Sequence, residues 1–110
     1  MKLANETISG VQVVEIPVKA LDADTAKEFR RTIEERTSNG GNFVFDLSKV
    51  EFVDSSGLGA ILSCLRQLNA KGGDLKLCNM SNPVRAMFEL VRMHRVMEIH
   101  RTREEAVASF

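Results

Sequence analysis

The sequence lacks an excess of charge of either sign. Fifteen lysine and arginine residues balance fifteen aspartate and glutamate residues, so the formal net charge at pH 7 is zero. It also lacks tryptophan, tyrosine and any basic run with interleaved aromatic residues. Proteins that bind nucleic acid or an anionic membrane usually carry such a basic patch. We therefore expect neither nucleic acid nor a membrane as a partner, and instead another protein or a small ligand.

Long apolar runs are missing as well. No segment approaches the roughly 18 apolar residues of a membrane-spanning helix, and the first six residues, MKLANE, contain no signal-peptide core. A chain of 110 residues is long enough to bury one hydrophobic core but not two. These features predict one cytoplasmic domain that spans residues 1–110. We expect a monomer or a weak dimer, although the sequence leaves the oligomeric state open.

Residues for metal or catalytic chemistry are few. Cys64, Cys78, His94 and His100 show no metal-ligand spacing, so the cysteines are interpreted as reduced, packed thiols. A serine hydrolase would need a base near its serine and often a Gly-x-Ser-x-Gly turn, and neither is found. The glycine-rich loops Gly-x-x-x-x-Gly-Lys and Gly-x-Gly-x-x-Gly are also absent. We expect no enzymatic activity, no cofactor and no metal.

The most informative stretch that is present is DSSGLG, Asp54–Gly59. Apolar extended segments precede it, and leucine and isoleucine residues follow it at helical spacing, so it lies where a strand leads into a helix. The first N–H groups of a helix are unpaired and its dipole is positive there, which suits a negative group on Ser55 or Ser56. The plainer alternative is a helix cap at Asp54, worth about 1 kcal/mol. The residue pattern alone leaves both interpretations open.

Alternation, helical periodicity and turn residues predict an α/β domain with a mostly parallel sheet of four to five strands and about four helices. The strand Asn42–Leu47 should be central because Phe43, Val44 and Phe45 indicate burial on both faces. The predicted strands are Leu3–Ile8, Val11–Val18, Asn42–Leu47, Asp74–Cys78 and Val96–His100. The predicted helices begin after Asp22 or Asp24 as a cap, at Asp54, at Asn82–Pro83 and at Thr102, the last running to Phe110 with Ala106, Val107 and Phe110 turned inward.

Two loops of this arrangement should meet. In open α/β sheets ligands bind where strands end at their carboxyl side. Both the loop 19–25 and the turn Asp54–Gly59 are expected there, so they should form one surface although they are distant in sequence.

The central segment FDLSKVEFVDSSGLGAIL, residues 45–62, closely resembles the signature of STAS domains, in particular the stand-alone bacterial anti-sigma factor antagonists. The likeness continues through residues 72–77 and 84–90. It implies a partner-switching role, in which the unmodified protein binds an anti-sigma factor that is also a serine kinase. That kinase would phosphorylate Ser55, with Ser56 as second choice, and a serine phosphatase would reverse the modification.

The resemblance also implies a partner surface. Its acidic residue before the first helix matches Asp22, and the predicted surface comprises Asp22, Asp24, Thr25, Asp54, Ser55, Ser56, Gly57 and Leu58. The sequence departs from the family pattern at Lys19-Ala20, where the family usually has Gly-Glu, and at Met93-His94, where it often has Gly-Leu. The alternative function is a non-switching STAS scaffold or regulatory subunit, whose permanent interface would use Leu58, Ile61 and Leu62.

Overall fold

The computed structural model describes all of residues 1–110. The strands are β1 (Ala4–Ile8), β2 (Val11–Glu15), β3 (Ala20–Leu21), β4 (Asn42–Asp46), β5 (Phe52–Val53), β6 (Asp74–Cys78) and β7 (Ile99–His100). The helices are α1 (Ala26–Thr37), α2 (Ser55–Ala70), α3 (Asn82–Leu90) and α4 (Arg103–Ala108), with one turn of 3₁₀ helix at Met93–Arg95. None of the helices combines the length and apolar character needed to cross a membrane.

Five strands form the main sheet in the order β1-β2-β4-β6-β7. Strand β1 runs antiparallel to β2, and the other neighbours are parallel. The predicted fold class and the central position of β4 are therefore confirmed. Strand β2 is shorter than predicted, because it ends at Glu15, before the proline at position 17 that cannot donate a ladder hydrogen bond.

Helices cover both faces of the sheet. Phe43 and Phe45 lie on one face in the main core with residues of α1, α2 and α3, whereas Val44 faces α4 in a cluster of five residues that includes Ala106. This division follows from the two-residue period of a strand. Cys64 and Cys78 are free and buried. Burial raises the pKa of both thiols to about 12, so they stay protonated at neutral pH.

Polar contacts rather than a large apolar face anchor α4. Arg103 donates from Nε to Asp46 Oδ2 at 2.5 Å, and Lys76 Nζ donates to the Ser109 carbonyl oxygen at 2.7 Å. Burial alone would raise the pKa of Asp46, but hydrogen bonds, chiefly from Arg103, lower it below its ordinary value. The prediction for the last helix is wrong in two details. It ends at Ala108, and Phe110 is 39% exposed, its ring packing against the Lys76 ammonium instead of entering the core.

Two residues after the end of α3, the chain adopts left-handed backbone geometry at Arg92. Arg92 has φ 61° and ψ 27°, which reverses the chain into the 3₁₀ turn at Met93. Glycine adopts this geometry without strain, whereas a residue with a Cβ atom incurs a cost of roughly 1 to 2 kcal/mol. Because no glycine marks this position, the end of α3 could not be predicted from the sequence.

We expect Arg92→Gly to stabilise the fold. Relief of the left-handed strain outweighs the greater entropy of glycine in the unfolded chain, so the free energy of unfolding should rise by about 0.5 to 1 kcal/mol. Urea unfolding of the two proteins measures this difference. A lower midpoint for Arg92→Gly would show that the arginine side chain contributes more than its backbone strain costs.

Candidate partner-binding and phosphorylation site

A second, two-stranded sheet brings the two candidate loops together. Strands β3 and β5 pair in parallel, with Leu21 opposite Val53, and the Asp54 N–H donates to the Leu21 carbonyl oxygen at 3.1 Å. The residues that follow the two strands, Asp22 and Asp54, are therefore neighbours. The expectation that loop 19–25 and the turn Asp54–Gly59 form one surface agrees with this arrangement, although β3 was not predicted as a strand.

The departure from the family pattern at Lys19-Ala20 does not disturb this pairing. The Lys19 carbonyl oxygen accepts hydrogen bonds from the N–H groups of Glu51 at 2.7 Å and Phe52 at 3.1 Å. These contacts use only the backbone, and the Lys19 side chain is exposed. The approach to Asp22 is consequently held by main-chain bonds that most residue types could supply.

The carboxylate of Asp54 ties the two loops to each other. As the N-cap of α2 it has extended backbone geometry, and its Oδ1 accepts from the N–H groups of Ser56 at 2.8 Å and Gly57 at 3.1 Å. Its Oδ2 accepts from the N–H of Ala23 at 3.2 Å, in the other loop. Asp54 thus caps α2, as the capping interpretation predicts, and it also links the start of α2 to the loop 19–25.

Gly57 lets α2 pass directly against the end of β3. A Cβ atom at this position would lie 2.2 Å from the carbonyl oxygen of Leu21, which is backbone and cannot move aside cheaply. Gly57 is buried, and Leu58 is only 7% exposed and belongs to the main core. Gly57 and Leu58 therefore support the surface from the side of the core and expose little area to a partner.

Ser55 and Ser56 occupy the first turn of α2 with different exposure. Ser55, the first helical residue, is exposed, whereas Ser56 is half-buried and its N–H is bonded to Asp54. The Ser55 hydroxyl forms no hydrogen bond within the chain, so it is free to react with an incoming group. Ser55 is therefore the more accessible of the two serine side chains.

The loop before α1 differs from the prediction. The cap residue of α1 is Thr25, and its side chain makes no capping hydrogen bond. Asp22 instead closes the preceding turn, because its Oδ1 accepts from the N–H groups of Asp24 at 3.0 Å and Thr25 at 3.2 Å. Asp24 caps nothing and is exposed. Thr25 is held inside the loop, donating from its hydroxyl to the Ala20 carbonyl oxygen at 2.8 Å.

The assembled surface is acidic and has no pocket. Asp22, Asp24 and Asp54 supply three carboxylates, and neither of the two surface depressions, of about 210 and 180 Å³, is lined by the loop 19–25 or by the turn 54–59. No group of three or more His, Cys, Asp or Glu side chains is placed to hold a metal ion. An open surface of this kind suits a protein partner better than a small molecule, which needs a concave site.

Three contributors to the site were missed in the sequence. Leu21 and Ala23 contribute only backbone groups, which no side-chain pattern could reveal. Arg30 lies on the exposed side of α1, where its charge looks like an ordinary solvated residue, yet its guanidinium reaches α2 beside Gly59. No sequence pattern connects Arg30 with Gly59, because the contact joins two helices.

The chain is similar in sequence to known proteins over most of its length. The chain is 28% identical over 102 residues to the anti-sigma F factor antagonist of Paenibacillus polymyxa, covering 91% of this chain and 86% of that one. It is 25% identical over 87 residues to the anti-sigma-B factor antagonist of Bacillus subtilis, covering 79% and 80%. These relatives bear the names of regulators rather than enzymes.

Solved structures show the same fold. The anti-sigma factor antagonist SpoIIAA in its unphosphorylated form superposes with a TM-score of 0.76 at 27% identity, over 96% of this chain and 93% of that chain. The phosphorylated form of this Bacillus protein superposes with a TM-score of 0.67 at 23% identity, over 98% of both chains. The family model described as STAS domain matches residues 2–106. Because that match spans nearly the whole chain, the protein belongs to the STAS domain family.

Proposed function

We propose that this protein is an anti-sigma factor antagonist controlled by phosphorylation of Ser55. In its unmodified form it binds an anti-sigma factor that is also a serine kinase, and the bound sigma factor is set free. Phosphorylation of Ser55 by that kinase ends the binding, and a serine phosphatase restores it. The protein acts as the substrate of its partners and carries out no catalysis itself.

The observation that carries this proposal is the exposed Ser55 at the start of α2, on the surface shared with Asp22 and Asp54. Its hydroxyl is free, and the surface around it is open enough for a kinase to approach. Relatives over most of the chain are named anti-sigma factor antagonists, and SpoIIAA has been solved in unphosphorylated and phosphorylated forms. The choice of Ser55 as the acceptor is our proposal, and its exposure at the start of α2 supports it.

The physical basis of the switch is charge at an interface. A phosphate adds about 1.5 to 2 negative charges at neutral pH, next to the carboxylate of Asp54 and on the same surface as Asp22. Docking would remove this added negative charge from water on a surface that already carries carboxylates, and a buried charge that the docked partner does not pair costs on the order of 2 to 5 kcal/mol. Because the cost arises only in the complex, no refolding of the antagonist is required.

A permanent scaffold role is less well supported. It would use Leu58, Ile61 and Leu62 as an interface, but Leu58 and Ile61 are buried in the core of this chain. Of the three, Leu62 alone remains partly exposed, so these residues offer little apolar area for a permanent interface.

Incubation with the cognate kinase and ATP tests the proposal. We expect intact-protein mass spectrometry to show one added phosphate on the wild type and on Ser56→Ala, and none on Ser55→Ala. The two variants are matched, since each removes one hydroxyl from the first turn of α2. Phosphate on Ser55→Ala, or none on the wild type, would contradict the proposal.

A further inference from the structure

Arg30 holds an unpaired guanidinium over the second turn of α2. Its Nη2 atom lies 3.3 Å from the position that a Cβ atom would take at residue 59. The guanidinium can occupy this space because Gly59 has no side chain. Arg30 forms none of the salt bridges of the structure, although Glu34 follows it by one turn on α1. The arginine side chains that donate hydrogen bonds are those of Arg36 and Arg103.

The guanidinium lies beside Gly59, one helical turn along α2 from Ser55. Residues four apart on a helix share one face and are separated by about 6 Å along the axis. Side chains of a helix point toward its amino end. The space left free beside Gly59 therefore extends toward the first turn of α2, which carries Ser55. The exposed Ser55 and the exposed, unpaired guanidinium of Arg30 are therefore about one helical turn apart along α2.

A phosphate on Ser55 would find few other donors nearby. The N–H groups of Ser56 and Gly57 are already bonded to Asp54 Oδ1, and the N–H of Ala23 is bonded to Asp54 Oδ2. The carboxylates of this surface repel a phosphate. The cations in the first two turns of α1 and α2 are Lys27, Arg30 and Arg31, and among these the structure places Arg30 against α2.

We propose that Arg30 binds the phosphate carried by Ser55 in the modified protein. The guanidinium presents a fork of N–H donors that matches phosphate oxygens and holds them by charge-assisted hydrogen bonds. Gly59 is part of this site because a larger side chain there would displace the guanidinium. The inference rests on the proposed function, and it names the group that binds the phosphate while it remains attached to Ser55.

The test uses protein with phosphoserine installed at position 55 during translation, so it does not depend on any kinase. Phosphorus NMR follows the second pKa of the phosphate, ordinarily about 6, in the wild type and in Arg30→Gln, Arg31→Gln and Lys27→Gln. A neighbouring cation favours the dianion, so we expect this pKa to be about 0.5 to 1 unit higher in Arg30→Gln than in the wild type. Arg31→Gln and Lys27→Gln remove the same charge from α1 and should shift the pKa by less than about 0.3 unit.

Two results would overturn the assignment to Arg30. One is an unchanged phosphate pKa in Arg30→Gln, and the other is a larger shift in Lys27→Gln or Arg31→Gln than in Arg30→Gln. Arg30→Lys, which keeps the charge but loses the planar fork, should give an intermediate value. If the kinase experiment on Ser55 fails while the Arg30→Gln shift is found, the proposed function is wrong and the phosphate site still stands.

Discussion

Ser55→Asp should lose at least about 30-fold in affinity for the anti-sigma factor, while Ser55→Ala should bind as the wild type does. The aspartate places a permanent charge where docking removes water, and a cost of about 2 to 5 kcal/mol corresponds to roughly 30- to 4,000-fold in affinity. Alanine removes only a hydroxyl that forms no hydrogen bond within the chain. Isothermal titration of each variant against the purified anti-sigma factor gives both values.

The matched control for this prediction is Ser9→Asp. Ser9 is exposed in the turn before β2, and its left-handed backbone, φ 51°, tolerates aspartate. It adds the same charge away from the candidate surface and should leave the affinity within about twofold, since exposed charges beyond about 10 Å are largely screened. Equal affinities for Ser55→Asp and Ser55→Ala would remove charge at this position as the basis of the switch.

Gly57→Ala should be among the most damaging substitutions of a single methyl group in this protein. The new Cβ atom would meet the Leu21 carbonyl oxygen at 2.2 Å, so either α2 or β3 must move. Overpacking against backbone costs about 1 to 3 kcal/mol, and we expect a net loss near the upper part of this range despite the higher helix propensity of alanine. That loss lowers the melting temperature by roughly 8 to 15 °C.

Gly59→Ala is the natural comparison, because it makes the same change two residues further along the same helix. Its Cβ atom would meet only the flexible end of Arg30, at 3.3 Å. Alanine should therefore raise the free energy of unfolding by up to about 1 kcal/mol, the usual gain over glycine in a helix. Calorimetry on both variants decides the point, and similar melting temperatures for the two would show that α2 does not depend on close approach at Gly57.

The strongly patterned parts of the fold were accessible from sequence. Phe43, Val44 and Phe45 marked β4 as central because three adjacent apolar residues can be buried only between two covered faces. Asp54 could be predicted as a helix start because a capping side chain bonds to N–H groups within three residues of itself. Such local signals need no knowledge of the rest of the chain.

Features that depend on distant contacts were not accessible. Strand β3 has two residues, too few for any period, and exists because it pairs with β5 across about thirty residues of chain. The cap of α1 was assigned to Asp22 or Asp24, but the helix begins after Thr25, and the Asp22 carboxylate accepts from N–H groups of the turn that precedes it. The requirement for glycine at position 57 is likewise set by Leu21, which no local pattern connects to it.

The roles assigned to individual site residues are still predictions. The structure brings Asp22, Asp24, Asp54 and Ser55 to one surface of the free protein. Their contacts with a docked partner stay a prediction. Gly57 and Leu58 were predicted as partner contacts, and their burial gives them mainly a supporting position.

The most direct measurement is the affinity of one protein for its anti-sigma factor before and after phosphate is placed on Ser55. We predict that phosphoserine at this position weakens binding by at least about 30-fold, and that phosphatase treatment of the same sample restores the original affinity. Binding that is equally tight in both forms would contradict the account, because the switch would then have no effect on the interaction that it is proposed to control.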